Sequence, residues 1–477
     1  MYKKIIYKCL GVASIALIFS ACKTPNLVGK KANTDVPGSY NNSQDTTNTA
    51  KVSWKDYFTD PNLNALIETA LENNQELNIT LQEIQIARNE VKVKKGEYLP
   101  FVNIKAGAGF DKPGRYTSQG ALEANNDIKP GTEFPDPLPD YLVGVNATWE
   151  IDIWHKLRNA KKAALKRYLA TVEGKNFMVT NLISELANSY YELLALDNQL
   201  DIINQNIEIQ SNALKIVKLQ KEATRVTELA VRKFNAELLH TKSLQYETQQ
   251  KIIQTENQIN FLVGRFPQTV SRSSKVFSDL VPNTIHSGIP SQLLENRPDI
   301  KQAELQLTAA KLDVKVAKAR FYPALAISAD IAFQAFNPAF LIKAPESLLL
   351  SLAGDLAAPL INKNAIKAAY SSANAKQIQA VYNYERAILN AYIEVSNQLS
   401  NINNLEKSYD LKENQVEALT QSVTISNQLF NSARADYMEV LLTQRDALEA
   451  KFELVETKKQ QMNAMVNVYR ALGGGWN

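Results

Sequence analysis

The chain has 477 residues, 45% hydrophobic and 21% charged, and a formal charge of +4. Removal of a leader carrying Lys3, Lys4 and Lys8 would lower that charge to +1 (4 − 3 = 1), a near-neutral balance that gives no support for nucleic-acid binding. Of the 2 cysteines, Cys9 lies in the leader, so Cys22 would be left alone and unable to form an internal disulfide.

Residues 1–21 read as a secretory signal peptide: three lysines, an apolar run over 9–19, then Ser20-Ala21. The run is too short to span a membrane in the mature protein. Ser20-Ala21-Cys22 resembles a bacterial lipoprotein cleavage site, with Phe19 where leucine is usual, so Cys22 is expected to be lipidated. The plainer reading is an ordinary signal peptide with an incidental cysteine. Lys23 follows Cys22, not the aspartate linked to inner-membrane retention, which favours the outer membrane. Residues 22–60, polar and rich in Ser, Thr and Asn, read as a lipid-anchored N-terminal tether.

The rest of the chain is a duplication. Residues 96–110 (GEYLPFVNIKAGAGF) and 319–333 (ARFYPALAISADIAF) align at an offset of 223 through Pro100/Pro323 and Phe110/Phe333. Asn188, Tyr190 and Glu192 match Asn390, Tyr392 and Glu394 at an offset of 202, and the halves close on Leu262/Gly264 and Leu472/Gly474 at 210. Two similar halves predict one fold repeated, with repeat 1 over 61–265, an inter-repeat linker over 266–292 and repeat 2 over 293–477.

In each repeat a helix precedes two strands and a long helical hairpin. The strands are expected near 100–111 and 140–152, then near 323–334 and 346–358. Apolar residues alternate with small or polar ones, as in Val102, Ile104, Val143, Val145, Ile327, Ile331, Leu350 and Leu352 against Lys105, Asn146, Asp330 and Asp355. Period two with one apolar face is a strand signature, and ten or so residues suit a tilted membrane strand of ~9–11 residues. An ordinary half-buried sandwich strand reads the same way. Four strands cannot close a barrel alone, and lipid tolerates no open edge. Either copies of the chain combine or the strands are not in a membrane.

The hairpins are expected over 154–264 and 361–472. Residues 140–266 and 360–477 contain no proline, and Gly174 is the only glycine between 145 and 263, so long helices are uninterrupted. Leu200, Ile203, Ile207, Gln210, Leu214 and Val217 step by three and four, as do Ile402, Leu405, Tyr409, Lys412, Val416 and Leu419, with the polar interruption at the same place. That is a coiled-coil seam. One helix over 154–224 would reach ~105 Å at 1.5 Å per residue, far more than a hydrocarbon core of ~30 Å, so it projects into water. No stretch after the leader approaches ~18 uninterrupted apolar residues, so any crossing is made by strands.

No enzyme signature competes. The three histidines, His155, His240 and His286, are far apart, and there is no phosphate-binding glycine loop or serine-nucleophile elbow. The reading is not an enzyme, with no catalytic residue, no metal site and no cofactor.

TWEIDIWHKLRNAKKAA (148–164), LLENRPDIKQAELQLTAAKLDVKVAKARFYP (293–323) and ADYMEVLLTQRDALEA (435–450) resemble, in order, the strand-to-helix junction, the second-half opening and the helix turn near the inner tip of TolC-like outer-membrane efflux proteins of the OprM/NodT-like lipoprotein type. The resemblance implies a mainly α fold with a β-barrel part. Strand pairs and hairpins from a homotrimer would form a twelve-stranded outer-membrane β-barrel and a periplasmic α-helical tunnel. It implies a passive conduit of a tripartite efflux system in the outer membrane, touching outer-membrane lipid and working with a periplasmic adaptor protein and an inner-membrane pump of RND type. It also places a periplasmic gate near Phe430, Arg434, Asp436, Glu439 and Leu442. Family positions that lock the tip fall on Phe430, Ala435 and Ala230, so this chain departs from that lock, and Arg434 with Glu228 is the expected substitute pair. The alternative function is a periplasmic, lipid-anchored adaptor (membrane fusion) protein, which would carry one hairpin and a lipoyl-like domain. The exported substrate is not encoded in any motif.

Overall fold

The computed structural model describes residues 24–40, 46–273, 277, 279–280, 286–359, 361, 363–432 and 434–476. The signal peptide and Cys22 lie outside them. The chain forms two compact units: the described residues within Met1–Lys31, Gln85–Leu169 and Leu305–Tyr382, and those within Ala32–Ile84, Ala170–Glu304 and Asn383–Asn477.

The helices are α1 (Trp54–Tyr57), α2 (Pro61–Asn73), α3 (Gln75–Tyr98), α4 (Ser118–Asn125), α5 (Lys156–Glu222), α6 (Glu228–Val263), α7 (Leu293–Asn296), α8 (Pro298–Ala319), α9 (Asn364–Asn431) and α10 (Tyr437–Ala471). The strands are β1 (Phe101–Asp111), β2 (Asp127–Lys129), β3 (Thr132–Glu133), β4 (Leu138–Ile151), β5 (Ala324–Ala335) and β6 (Leu348–Ala357).

The first unit holds an antiparallel sheet in the order β1-β4-β5-β6, so the two repeats meet at β4 and β5. Register carries Ile104 across to Val145, Ile331 and Leu350, and Asn103 across to Asn146, Asp330 and Ser351. Directly opposed residues share a face, so the first row is wholly apolar and the second wholly polar. Every residue of β1 and β6 is exposed. The outer edges of β1 and β6 have no strand partner among the described residues.

The junction quoted in the sequence is built to turn. Asp152, whose side chain is buried, accepts from the Leu157 and Arg158 backbone N–H groups at 3.0 and 2.8 Å and so caps α5. Trp154 stacks on Tyr322 and donates its indole N–H to the Pro323 carbonyl at 2.8 Å. The segment 111–140 between β1 and β4 contains α4 and the β2–β3 hairpin.

The second unit holds the core. Tyr57 stacks on Tyr469 with centroids 4.1 Å apart, and Tyr190, from the repeated triplet, donates to Asp60 at 2.8 Å. Desolvation raises the Tyr57 and Tyr190 phenol pKa values, so both rings stay neutral donors. The 67-residue α5 pairs with α6 through Gln245 to Asn204 at 2.7 Å and Gln258 to Glu185 at 3.1 Å. The 68-residue α9 pairs with α10 through Lys412 and Glu453 at 3.1 Å.

Each hairpin returns to a latch. Asn74 caps α3 at the Leu77 N–H and donates to the Leu262 carbonyl at 2.8 Å. Arg297 occupies the matching place (74 + 223 = 297) and donates to the Ala471 carbonyl at 2.9 Å, to Glu394 at 2.7 Å and to both oxygens of Asp299. Gly264 sits at φ 78°, where a Cβ would lie 2.4 Å from the Asn73 carbonyl oxygen. In repeat 2 the equivalent residue is Gly473 at φ 92°, one position before the Gly474 that sequence alignment selects, with a Cβ 2.8 Å from the Asn296 carbonyl oxygen. Positive φ and close backbone together require glycine at both.

Residues 22–60 are not a free tether throughout. Leu27 packs beside Phe321 and Tyr370, and the Val28 and Lys30 carbonyls accept from Asn374 and Gln377. Further on, the Asn33 N–H donates to Glu385 and Tyr40 stacks on Tyr392. Trp54, Tyr57 and Phe58 are core residues. The aromatic residues at 54–58 outweigh the polar composition around them, because burying each ring stabilises by roughly 1.5–3 kcal/mol.

Candidate functional site

Two features are the candidates for a functional site: the two-faced sheet and the ends of the hairpins. On one face of the sheet, Val102, Ile104, Val143, Val145, Ile327, Ile331, Leu350 and Leu352 share register. Ile104 is 84% exposed and Leu352 79%, so within one chain this apolar face is bare. A contiguous apolar surface on this scale marks contact with another apolar phase. The other face carries Asn103, Lys105, Asn146, Asp330 and Asp355 among small residues, and Asn146 donates to Asp330 at 2.7 Å. Apolar on one face and hydrated on the other is the design of a strand that separates lipid from water.

At the hairpin ends, Leu214, Val217, Ala230, Val231, Phe234, Leu238, Val440 and Leu441 form a buried cluster drawn from both repeats. Phe430 is partly buried and packs against that cluster. Asp436 is the N-cap of α10, its carboxylate accepting from the Met438 N–H. Glu439 is exposed in the first turn of α10, and Leu442 is 42% exposed one turn on. Arg434 is exposed in the turn between α9 and α10.

The expected Arg434–Glu228 pair does not form. Glu228 bonds Lys221 at 3.0 Å and Arg232 at 2.8 Å instead. The hydrogen bond from Lys221, with both positive charges, holds its carboxyl below the usual range. Both partners lie within seven residues of Glu228, so they reach it at less entropic cost than an arginine from the other repeat. Among the described residues Phe430 has a packing partner and Asp436 a capping one, while Arg434, Glu439 and Leu442 are exposed.

Sequence reasoning gave no role to Asn74 or to the buried end of Arg297. The signal was present: both sit at the same offset ahead of a helix. Their different chemistry concealed the equivalence.

Among the described residues no helix is long and apolar enough to cross a membrane, and no cluster of His, Cys, Asp and Glu is placed to hold a metal ion.

Such a sheet, joined to coiled-coil hairpins far longer than a bilayer is thick, defines a protein of the outer-membrane channel class. The family described as "Outer membrane efflux protein" matches residues 66–265 and 289–474, and the chain belongs to it. It is 27% identical over 423 residues to the pyoverdine export outer membrane protein OpmQ of Pseudomonas aeruginosa, covering 89% of this chain and 87% of that one. It is 24% identical over 429 residues to the cation efflux system protein CusC of Escherichia coli K12, covering 90% of each. A crystal structure of a membrane protein from Pseudomonas aeruginosa superposes with a TM-score of 0.84 at 23% identity, over 94% of this chain and 99% of that one. The protein is an outer-membrane efflux channel component, and the adaptor reading is set aside.

Proposed function

We propose that three copies of this chain close one twelve-stranded barrel and one helical tunnel, forming a passive conduit for small molecules. The observation that carries this is the sheet with a bare apolar face and two edges that have no strand partner among the described residues. In lipid every backbone polar group must be satisfied, so the edges have to meet other strands. The four strands alternate in direction, so β6 of one copy runs antiparallel to β1 of the next, the pairing closure needs. At the hairpin ends, the exposed Arg434, Glu439 and Leu442 form the narrow end of the tunnel. There a periplasmic adaptor and an inner-membrane pump of RND type engage, and the pump selects the cargo. Three like carboxylates around a threefold axis attract cations and repel anions.

The lipoprotein-like Ser20-Ala21-Cys22 sequence supports a thioether-linked lipid on Cys22. Residues 27–30 lie along α9 near 366–377, shortly after β6 in the chain. Cys22→Ser should abolish fatty-acid labelling of the protein, and unchanged labelling removes the anchor. Purified protein in planar bilayers should give discrete conductance steps. A protein that inserts, is trimeric and never conducts would overturn the conduit.

A further inference from the structure

A buried polar layer interrupts the seam between the repeats. Helices α5 and α10 run antiparallel, fixed by Asn188 donating to Asn467 at 3.2 Å and by Lys459 lying 2.7 Å from Glu192. Advancing both contacts toward the tip (188 + 22 = 210, 467 − 22 = 445; 192 + 18 = 210, 459 − 18 = 441) brings Gln210 level with residues 441–445, a span of about one turn that contains Gln444. The two are 1% and 3% exposed. Among the described residues, neither the oxygen nor the nitrogen of either amide has a hydrogen-bond partner.

Two further buried polar residues lie within about a turn on the partner helices, Thr241 on α6 and Ser426 on α9. Neither serves the amides: Thr241 donates to the Glu237 carbonyl and Ser426 to the Val423 carbonyl, both at 3.1 Å. On the tip side lies the apolar cluster of Leu214, Phe234, Leu238 and Leu441. On the other side lies the separate core of Tyr190, Leu193, Ile252, Val455 and Met462. The second repeat treats the same polar interruption differently, because Lys412 is part-exposed and meets Glu453 at 3.1 Å.

An amide buried without a partner loses its hydration and receives nothing in return. A half-satisfied layer between two well-packed clusters is therefore where cooperative packing is weakest. We infer that the Gln210–Gln444 layer is a release plane, across which the tip repacks as a unit while the core stays fixed. In the second arrangement the two amides bond each other or admitted water. That arrangement gains interactions this one lacks, so the layer lowers the cost of reaching it. The inference rests on reading the tips as the end of the conduit that closes.

The test is hydrogen exchange on the full chain in detergent, paired with bilayer conductance. In the parent, peptides over 207–217 and 434–445 should exchange at least about tenfold faster than those over 186–196 and 459–469. This arm needs no substitution. The double variant Gln210→Leu/Gln444→Leu should slow the tip peptides about tenfold, leave the core peptides unchanged and lower conductance severalfold relative to the parent. Gln444→Met alone should move both readouts in the same direction by less. Equal exchange of tip and core in the parent overturns the proposal. So does a double variant whose tip exchange is unchanged, or one whose tip is protected while conductance stays at the parental level. A parent that never conducts counts against the conduit, and the exchange result then judges the layer independently.

Discussion

The sheet and the core follow opposite rules. Around Tyr57, Tyr190 and Tyr469 the chain buries its aromatics against its own helices and gives each hydroxyl a partner. In the sheet, all of β1 and β6 is exposed and isoleucine and leucine face outward. The core is completed by the chain itself. The sheet is left for lipid on one face and for further strands at its edges. Burial within one chain is thus a measure of which interactions the sequence keeps for itself, and the sheet's bareness is a specification of its surroundings.

That contrast ranks the substitutions. The largest loss should follow Arg297→Ala, which strands Asp299 and Glu394 and releases the Ala471 carbonyl. Breaking such a pair from one side should cost about 3–5 kcal/mol, read as a lower guanidinium midpoint of the helical signal. A loss under about 1 kcal/mol would mean the core does not depend on its latch. Next, Ile327→Lys should impair membrane insertion by about 2–4 kcal/mol, while Ser328→Lys on the polar face should insert nearly as the parent does. Equal behaviour of the two would erase the distinction between faces. Third, Asn74→Ala removes the neutral counterpart of the Arg297 latch and should cost about 1–2 kcal/mol in the same unfolding measurement. Smallest in stability is Glu439→Ala. This exposed residue should leave the midpoint within about 0.5 kcal/mol of the parent while changing the cation preference of single channels. An unchanged preference would move the charged constriction elsewhere, Arg434 and Leu442 being the next residues to vary.

Much of this was legible without coordinates because it is periodic. Alternation along 101–110 and 325–333, the three-four stepping from Leu200 to Val217 and the absence of glycine and proline over long stretches each fix a local geometry. What was not legible depends on which residues meet. Glu228 was matched to Arg434 across the repeats, yet the nearer Lys221 and Arg232 take its carboxylate. Phe430 was read only for its place near the turn, and its packing on the tip cluster depends on the leucines it meets there. The tether was read from its polar composition, which dilutes the three aromatics that join the core. Gln210 was visible as an interruption of the seam, but its lack of a partner is a property of the packed layer.

The claim at the centre is that the bare edges of β1 and β6 are completed by other copies in a closed ring. It is tested most directly by cysteines placed at Ile104 on β1 and Leu350 on β6, joined by a flexible bis-maleimide in native membranes. A closed ring of three copies gives a ladder of one, two and three linked chains that stops at three. A ladder that stops at two, or one that runs on past three, would contradict it.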